Sequence, residues 1–206
     1  DRRVRLAAIQ AVDLKTLNEA ENLGASRLTG GVVPRAFDFS LKLEPYTYDP
    51  ARAKRLLAEA GYPNGFDAGD LLPYPPYFSM GEAVAGNLAA VGIKTRIRTM
   101  ERAAFIAAWR AKTLKGICVC INAVYGNAAS RLSEIAVTGS TYAYGGFPDV
   151  DDLFVQQARE PDRKKREALL HRIQQILHER VRFGPMWEYI WPSGIGPRVE
   201  EPALML

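Results

Sequence analysis

"DAGDLLPYPPYFSMGEAVAGNLAAVGIKTRIRTMERAAFIAAWRAKTLKGICVCI", residues 67–121, switches repeatedly between two periodicities, and that switching decides the fold. "DAGDLLPY" suits a short strand, and residues 82–91 suit a helix with Val84, Leu88 and Val91 inward. "GIKTRIRT" alternates, with Ile93, Thr95, Ile97 and Thr99 on one face and Lys94, Arg96 and Arg98 on the other. A second helix falls around Phe105, Ala108 and Trp109, and "GICVCI" then reads as a central strand, apolar on both faces. The order β-α-β-α-β predicts parallel strands with crossover helices, so the loops leaving their carboxyl ends gather on one edge.

Upstream, "YDPARAKRLLAEAGYPNGF" (48–66) is punctuated at both ends. Asp49 caps a helix, Pro50 takes its first position, and Ala53, Leu56, Leu57 and Ala60 form its apolar stripe. Gly61 ends it, and "YPNGF" supplies a turn. The flanks read as mostly helical. Residues 1–12 carry an apolar stripe at Val4, Ala7, Ala8 and Ala11, and Asp13 caps a second helix ending near Gly24. Residues 131–137 form a helix stopped by Gly139, "PDVDDLFVQQA" another, and Asp162 caps a long one with Leu169, Ile173, Ile176 and Leu177 inward. "GPMWEYIW" closes as a strand.

The 206 residues are 48% hydrophobic, enough for a packed core, and the net charge of +4 is spread along the chain, which argues against a nucleic-acid surface. The longest apolar runs fall far short of the roughly 20 residues a membrane helix needs. The chain begins at Asp1 and breaks off in "PALML", as if excised from a longer precursor, so the lack of a targeting segment says little about compartment.

Catalysis finds little material. His171 and His178 lie two helical turns apart, about 10.5 Å, too far to grip one metal, and are expected on the surface. Cys118 and Cys120 are expected as buried free thiols, since a disulfide between such near neighbours is strained. Asp149, Asp151 and Asp152 open a helix, where carboxylates serve its dipole and cap amides better than a cation. No catalytic residue, metal or cofactor is assigned.

The informative loops are those expected at the carboxyl edge of the sheet. "PYPPYFS" brings Tyr74, Tyr77 and Phe78, and "NAVYGNAASR" brings Asn122, Tyr125, Asn127, Ser130 and Arg131. Ligands of open α/β sheets bind at that edge, and aromatic walls with a few hydrogen-bonding groups suit a small organic ligand. Tyr74, Tyr77, Asn122, Tyr125, Asn127, Ser130 and Arg131 are therefore the expected ligand-binding residues, with Tyr74, Tyr77, Tyr125 and Asn127 partly exposed and Cys118, Cys120 and Leu88 buried.

Five segments in order, "DRRVRLAAIQAVD", "GGVVP", "YDPARAKRLLAEAGYPNGF", "NLAAVGIKTRI" and "PDVDDLFVQQAREPDRKKREALLHRIQQILHE", resemble the family 5 extracellular solute-binding proteins of ABC importers, the dipeptide, oligopeptide and nickel binding group. The resemblance implies an α/β fold, a periplasmic binding protein type II-like lobe with a βαβαβ core and flanking helices. It implies that residues 1–206 are one lobe, the carboxyl-terminal one, of a two-lobe protein whose amino-terminal lobe is absent. Such a protein works in the periplasm or otherwise outside the cytoplasm. It captures a small solute in the cleft and delivers it to a membrane permease, without being an enzyme. In the peptide-binding branch an aspartate after the central strand resembles a counter-ion for the ligand's ammonium. No Asp or Glu occurs in residues 102–133 here, so a polar neutral or acidic solute, such as a sugar derivative or modified peptide, is expected. The contrasting readings are a small α/β enzyme using the same sheet edge, which would need a convergent acid, base or nucleophile there, and an RNA-binding basic domain.

Overall fold

The computed structural model describes residues 1–121, 126–190 and 195–198. Within them the core is the expected βαβαβ unit: β2 (Phe66–Pro73), α4 (Phe78–Ala90), β3 (Ile93–Ile97), α5 (Arg102–Arg110) and β4 (Ile117–Val119). All pairings are parallel, with Phe66 opposite Ile93 and Leu71 opposite both Ile97 and Ile117. The strand order is β3-β2-β4, however, so the central strand is β2 and not "GICVCI". The reason lies in β2 itself: Leu71, Leu72 and Pro73 are all buried, whereas along β4 only Val119 is, with Cys118 and Cys120 exposed. The expectation of buried thiols is corrected with it. Leu88 is buried as expected.

The capped helix is α3 (Pro50–Glu59), whose Asp49 carboxylate accepts the Arg52 N–H at 2.7 Å. It buries Ala53 and Leu57 against α1 (Arg2–Gln10), which is tied to it by the Asp49 N–H donating to the Gln10 carbonyl at 2.9 Å. Complete burial of a leucine side chain contributes about 1.5–3 kcal/mol. The turn after α3 must bring the chain alongside β3. Gly65 does this with φ +76°, and a Cβ there would stand 2.0 Å from the Gly92 carbonyl oxygen. Only glycine permits that approach. Phe66 N–H then donates to Gly92 at 3.0 Å and begins the sheet.

The flanking helices are α2 (Leu14–Asn22), α6 (Ala128–Ile135), α7 (Pro148–Arg159) and α8 (Arg163–Glu179). α4 starts four residues earlier than the pattern suggested, at Phe78. α6 starts at Ala128 because Asn127 caps it, accepting the Ser130 N–H at 3.1 Å. On α8 the inward stripe is Leu170, Ile173, Ile176 and Leu177, and Leu169 is only half-buried. α8 joins α6 and α7 in a second core with Leu132, Ile135, Val150 and Phe39. The "GPMWEYIW" strand is reduced to β5 (Trp187–Glu188), antiparallel to β1 (Arg27–Leu28) in a ribbon of its own.

His178 is not a surface residue. Its ring stacks on Tyr46 at 4.5 Å, and its Nδ1 lies 2.9 Å from the Gly30 carbonyl, clasping α8 to the segment after β1. Asp149 and Asp151, in the first turn of α7, also reach other segments. Asp151 accepts from the Thr138 N–H at 2.8 Å, and Asp149 forms a two-bond pair with Arg180 at 2.9 and 2.6 Å. That pairing first, and then hydrogen bonds from the Asp149 and Val150 amides at the start of the helix, hold the Asp149 carboxyl below its ordinary range. No helix among the described residues is long and apolar enough to cross a membrane.

Candidate functional site

A recess of about 1370 Å³ opens between the βαβαβ sheet and the β1–β5 ribbon. α1 and α4 contribute Val4, Ala8, Val84 and Leu88, and the sheet contributes Phe66, Ala68, Ile117 and Val119. The ribbon side supplies Arg27, Thr29, Met186, Trp187, Glu188 and Tyr189. The lining is mainly apolar with aromatic rings and a few polar groups, the composition of small-molecule sites.

Its charges are unbalanced. Arg5, Arg27, Arg131 and Arg182 line the recess, against Glu188 as the one carboxylate among the described lining residues. Glu188 is engaged elsewhere, accepting the Arg35 N–H at 3.1 Å and lying 3.8 Å from its guanidinium. Three of the arginines are fixed by backbone carbonyls. Arg131 donates from Nε to Val32 at 2.9 Å, Arg5 from Nε to Val181 at 2.7 Å, and Arg182 from Nη2 to Gly145 at 2.8 Å. Burial lowers the Arg131 pKa to about 10, an effect partly offset by the neighbouring Cys120, and burial followed by repulsion from Arg5 lowers that of Arg182.

The strands that lead into the two loops picked from the sequence end side by side: the Tyr74 N–H donates to the Val119 carbonyl at 2.8 Å, so both leave the same sheet edge. Their residues play different parts. Arg131 lines the recess. Tyr77 is half-buried and meets the lining residue Tyr189 edge-on at 5.6 Å. Tyr74 is buried, correcting its expected exposure, because its ring packs on Phe105 at 5.3 Å while its hydroxyl accepts from Arg102 Nε at 3.0 Å. Asn127 and Ser130 are occupied at the start of α6, where the Ser130 hydroxyl lies 3.4 Å from the Asn127 side-chain oxygen. Asn122 and Tyr125 lie outside the described residues.

Sequence reasoning missed the ribbon, together with Trp109 and Tyr142, whose rings lie 4.6 Å apart at the recess. The aromatic density of "MWEYIW" was the available signal. Among the described lining residues there is no histidine, and the thiols of Cys118 and Cys120 are held protonated by the crowding of the recess floor, the latter pushed up to about 12. As residues, Cys118 and Cys120 both keep exposed surface at the recess. Among the described lining residues there is no histidine-carboxylate pair to serve as acid and base.

Known proteins fit this geometry. The chain is 27% identical over 211 residues to the heme-binding protein A of Haemophilus influenzae, which aligns with 96% of this chain and 38% of that protein. It is 30% identical over 182 residues to the glutathione-binding protein GsiB of Pectobacterium atrosepticum, covering 81% of this chain and 35% of that protein. The chain thus spans well under half the length of these relatives. In three dimensions it superposes on the periplasmic binding protein DppA from Helicobacter pylori in complex with the peptide STSA, with a TM-score of 0.81 at 22% identity, covering 91% of this chain and 38% of that one. A dipeptide-binding protein from Pseudoalteromonas gives the same TM-score at 21% identity, over 90% of this chain and 39% of that one. Both likenesses establish the α/β periplasmic-binding-protein fold. Residues 1–143 match the family model described as bacterial extracellular solute-binding proteins, family 5 middle, and the chain belongs to that family.

Proposed function

We propose that the chain is the ligand-binding lobe of a solute-binding protein serving an ABC importer. In this reading residues 1–206 pair with an amino-terminal lobe of the same protein, and the two close on a small solute outside the cytoplasm. The loaded protein then docks on the membrane permease. It is not an enzyme. Family membership supports the transport role, and the names of the relatives, which bind heme, glutathione and dipeptides, support a small organic cargo.

The observation that carries the choice of cargo is the charge of the recess, where four arginines outnumber one already paired carboxylate. Among the described lining residues a buried ammonium on the ligand would find no carboxylate but the paired Glu188, and an unpaired buried charge costs several kcal/mol. A carboxylate would find guanidinium groups able to bind it with two parallel hydrogen bonds. The solute is accordingly a peptide-like or sugar-derived molecule, acidic or neutral at the end that enters this lobe. Its contacts from the sheet edge are drawn from Tyr74, Tyr77, Asn122, Tyr125, Asn127, Ser130 and Arg131, with Arg131 and Tyr77 foremost.

Thermal-shift screening of the two-lobe protein tests this. Acidic peptides and sugar acids are expected to raise the melting temperature, and Arg131→Met to remove the shift. Strong stabilisation by unmodified di- to pentapeptides, lost on acetylating their amino termini, would refute the cargo.

A further inference from the structure

We propose that Cys118 and Cys120 together form a two-thiolate site, open to the recess, for a soft monovalent cation of the Cu(I) or Ag(I) type. Exposure alternates along this segment: Cys118 exposed, Val119 buried, Cys120 exposed. Alternation is the signature of extended chain, in which residues two apart share a face, and both cysteines line the same recess. Pairing of Cys118 with Leu72 on the central strand fixes the backbone that carries them.

The spacing selects the chemistry. Residues two apart on a strand have Cα atoms about 6.6–6.8 Å apart, at the outer limit for a disulfide. Two thiolates on opposite sides of one metal ion, each at about 2.3 Å, need their sulfurs only about 4.6 Å apart, which side chains on one face can reach. The ligand count selects the ion. Among the described residues no cluster of three or more His, Cys, Asp or Glu exists that could complete a tetrahedral zinc set. Thiolates are soft donors that favour Cu(I), and a pair without further ligands suits an ion content with two. The mainly apolar lining of the recess keeps hard, strongly hydrated competitors at a disadvantage.

Binding is balanced by proton release: two thiols and M⁺ give a bis-thiolate complex of charge −1 and two protons. The Arg131 guanidinium, near enough to favour the Cys120 thiolate, offsets the negative charge. Because each thiol gives up its proton on ligation, affinity should fall as pH is lowered. The site stands on the thiols alone and does not depend on the transport reading.

The test is calorimetric titration of the reduced, desalted 206-residue chain with Ag(I) under argon, in two buffers of different ionisation enthalpy. One equivalent is expected, with close to two protons released, and a competition with a Cu(I)-chelator complex should show Cu(I) uptake as well. Cys118→Ser and Cys120→Ser should each weaken binding by ~100-fold or more. N-ethylmaleimide treatment of the unaltered chain should abolish it, which covers the case of a variant that fails to fold. Full-affinity binding by either single variant, or equal uptake by the double variant, would overturn the site. So would protein isolated without reductant whose mass is lower by the two thiol hydrogens, since the pair would then be a disulfide.

Discussion

Gly81 and Gly86 lie on the same helix, α4, and alanine at the two positions should have opposite effects. In a helix interior alanine is favoured over glycine by about 0.8–1.0 kcal/mol, because it loses less backbone entropy on folding. At Gly86, which is exposed and has no atom within 4 Å of the Cβ position, nothing opposes that gain. At Gly81 the added carbon would stand 2.5 Å from Pro73 Cβ and 3.0 Å from its Cγ. Carbon atoms prefer about 3.5–4.0 Å, so α4 must retreat by roughly 1 Å from the end of β2, against a proline ring that cannot swing aside. Overpacking of this kind costs about 1–3 kcal/mol. Gly86→Ala should therefore stabilise by close to 1 kcal/mol and Gly81→Ala destabilise by about 1 kcal/mol, a gap of about 2. For a chain of this length the gap corresponds to roughly 4–8 °C in melting temperature. Urea denaturation followed by circular dichroism measures both variants. The displaced element is the one that leads out of the Tyr74 and Tyr77 loop, so Gly81→Ala should also alter near-ultraviolet tyrosine signals. If Gly81→Ala proves as stable as Gly86→Ala, the close approach of helix to strand is not a constraint and the reasoning fails.

Two further outcomes follow from polar contacts. Gln174 is buried, accepting the Leu41 N–H at 2.9 Å and donating to the Phe39 carbonyl at 2.8 Å; Gln174→Met keeps the shape but orphans both groups, and at about 1–3 kcal/mol each the loss should be at least ~2 kcal/mol by urea denaturation, a change within ~0.5 kcal/mol showing that water replaces the side chain. Asp149 and Asp67 have carboxyl groups depressed below their usual range, by Arg180 and by the Gly69 N–H respectively, so their stabilisation is fully present above the unfolded carboxylate range and is lost as pH falls through the lower folded values; the urea midpoint should decline on acidification below about pH 4, less steeply in Asp149→Asn, and an unchanged slope in that variant would rule out the pair as a contributor.

Local signals were legible in the sequence and long-range pairings were not. The Asp49 cap, Pro50 and the turn through Gly65 each act within a few residues, and α3 forms where they place it. The βαβαβ order was equally readable because period changes mark every element. The sheet's centre was misplaced because apolar sequence reports removal from water without saying what covers it, and "GICVCI" faces the recess where a central strand would face helices. The β1–β5 pairing joins Arg27 to Glu188 across most of the chain, and nothing local specifies it. Of the residues that line the recess, Arg131 was among those picked from the sequence, whereas the ribbon, which depends on that distant pairing, was not. Tyr74 shows the reverse error: an aromatic in a proline-rich loop looked available for a ligand, yet Phe105 is fully buried beneath it and takes its ring.

The arginines of the recess do two jobs that are hard to separate. A guanidinium has five N–H donors, and Arg5, Arg131 and Arg182 each spend donors on carbonyls of distant segments. Arg5 bridges α1 to Arg180 and Val181, Arg182 reaches Tyr144 and Gly145, and Arg131 reaches Val32. These links hold the walls apart around a space that hydrophobic collapse would otherwise tend to close, since most of its lining is apolar. The same groups set the field inside. Even Arg131, lowered to about 10, stays charged at neutral pH. Replacing one by a neutral residue therefore loosens a wall as well as removing a charge, whereas Arg→Lys keeps the charge and loses the forked geometry. Comparing Arg131→Lys with Arg131→Met separates the two jobs. If anion recognition dominates, the lysine variant retains part of the thermal shift given by an acidic solute, and if bracing dominates, both variants lose the shift and melt at lower temperature without any solute present.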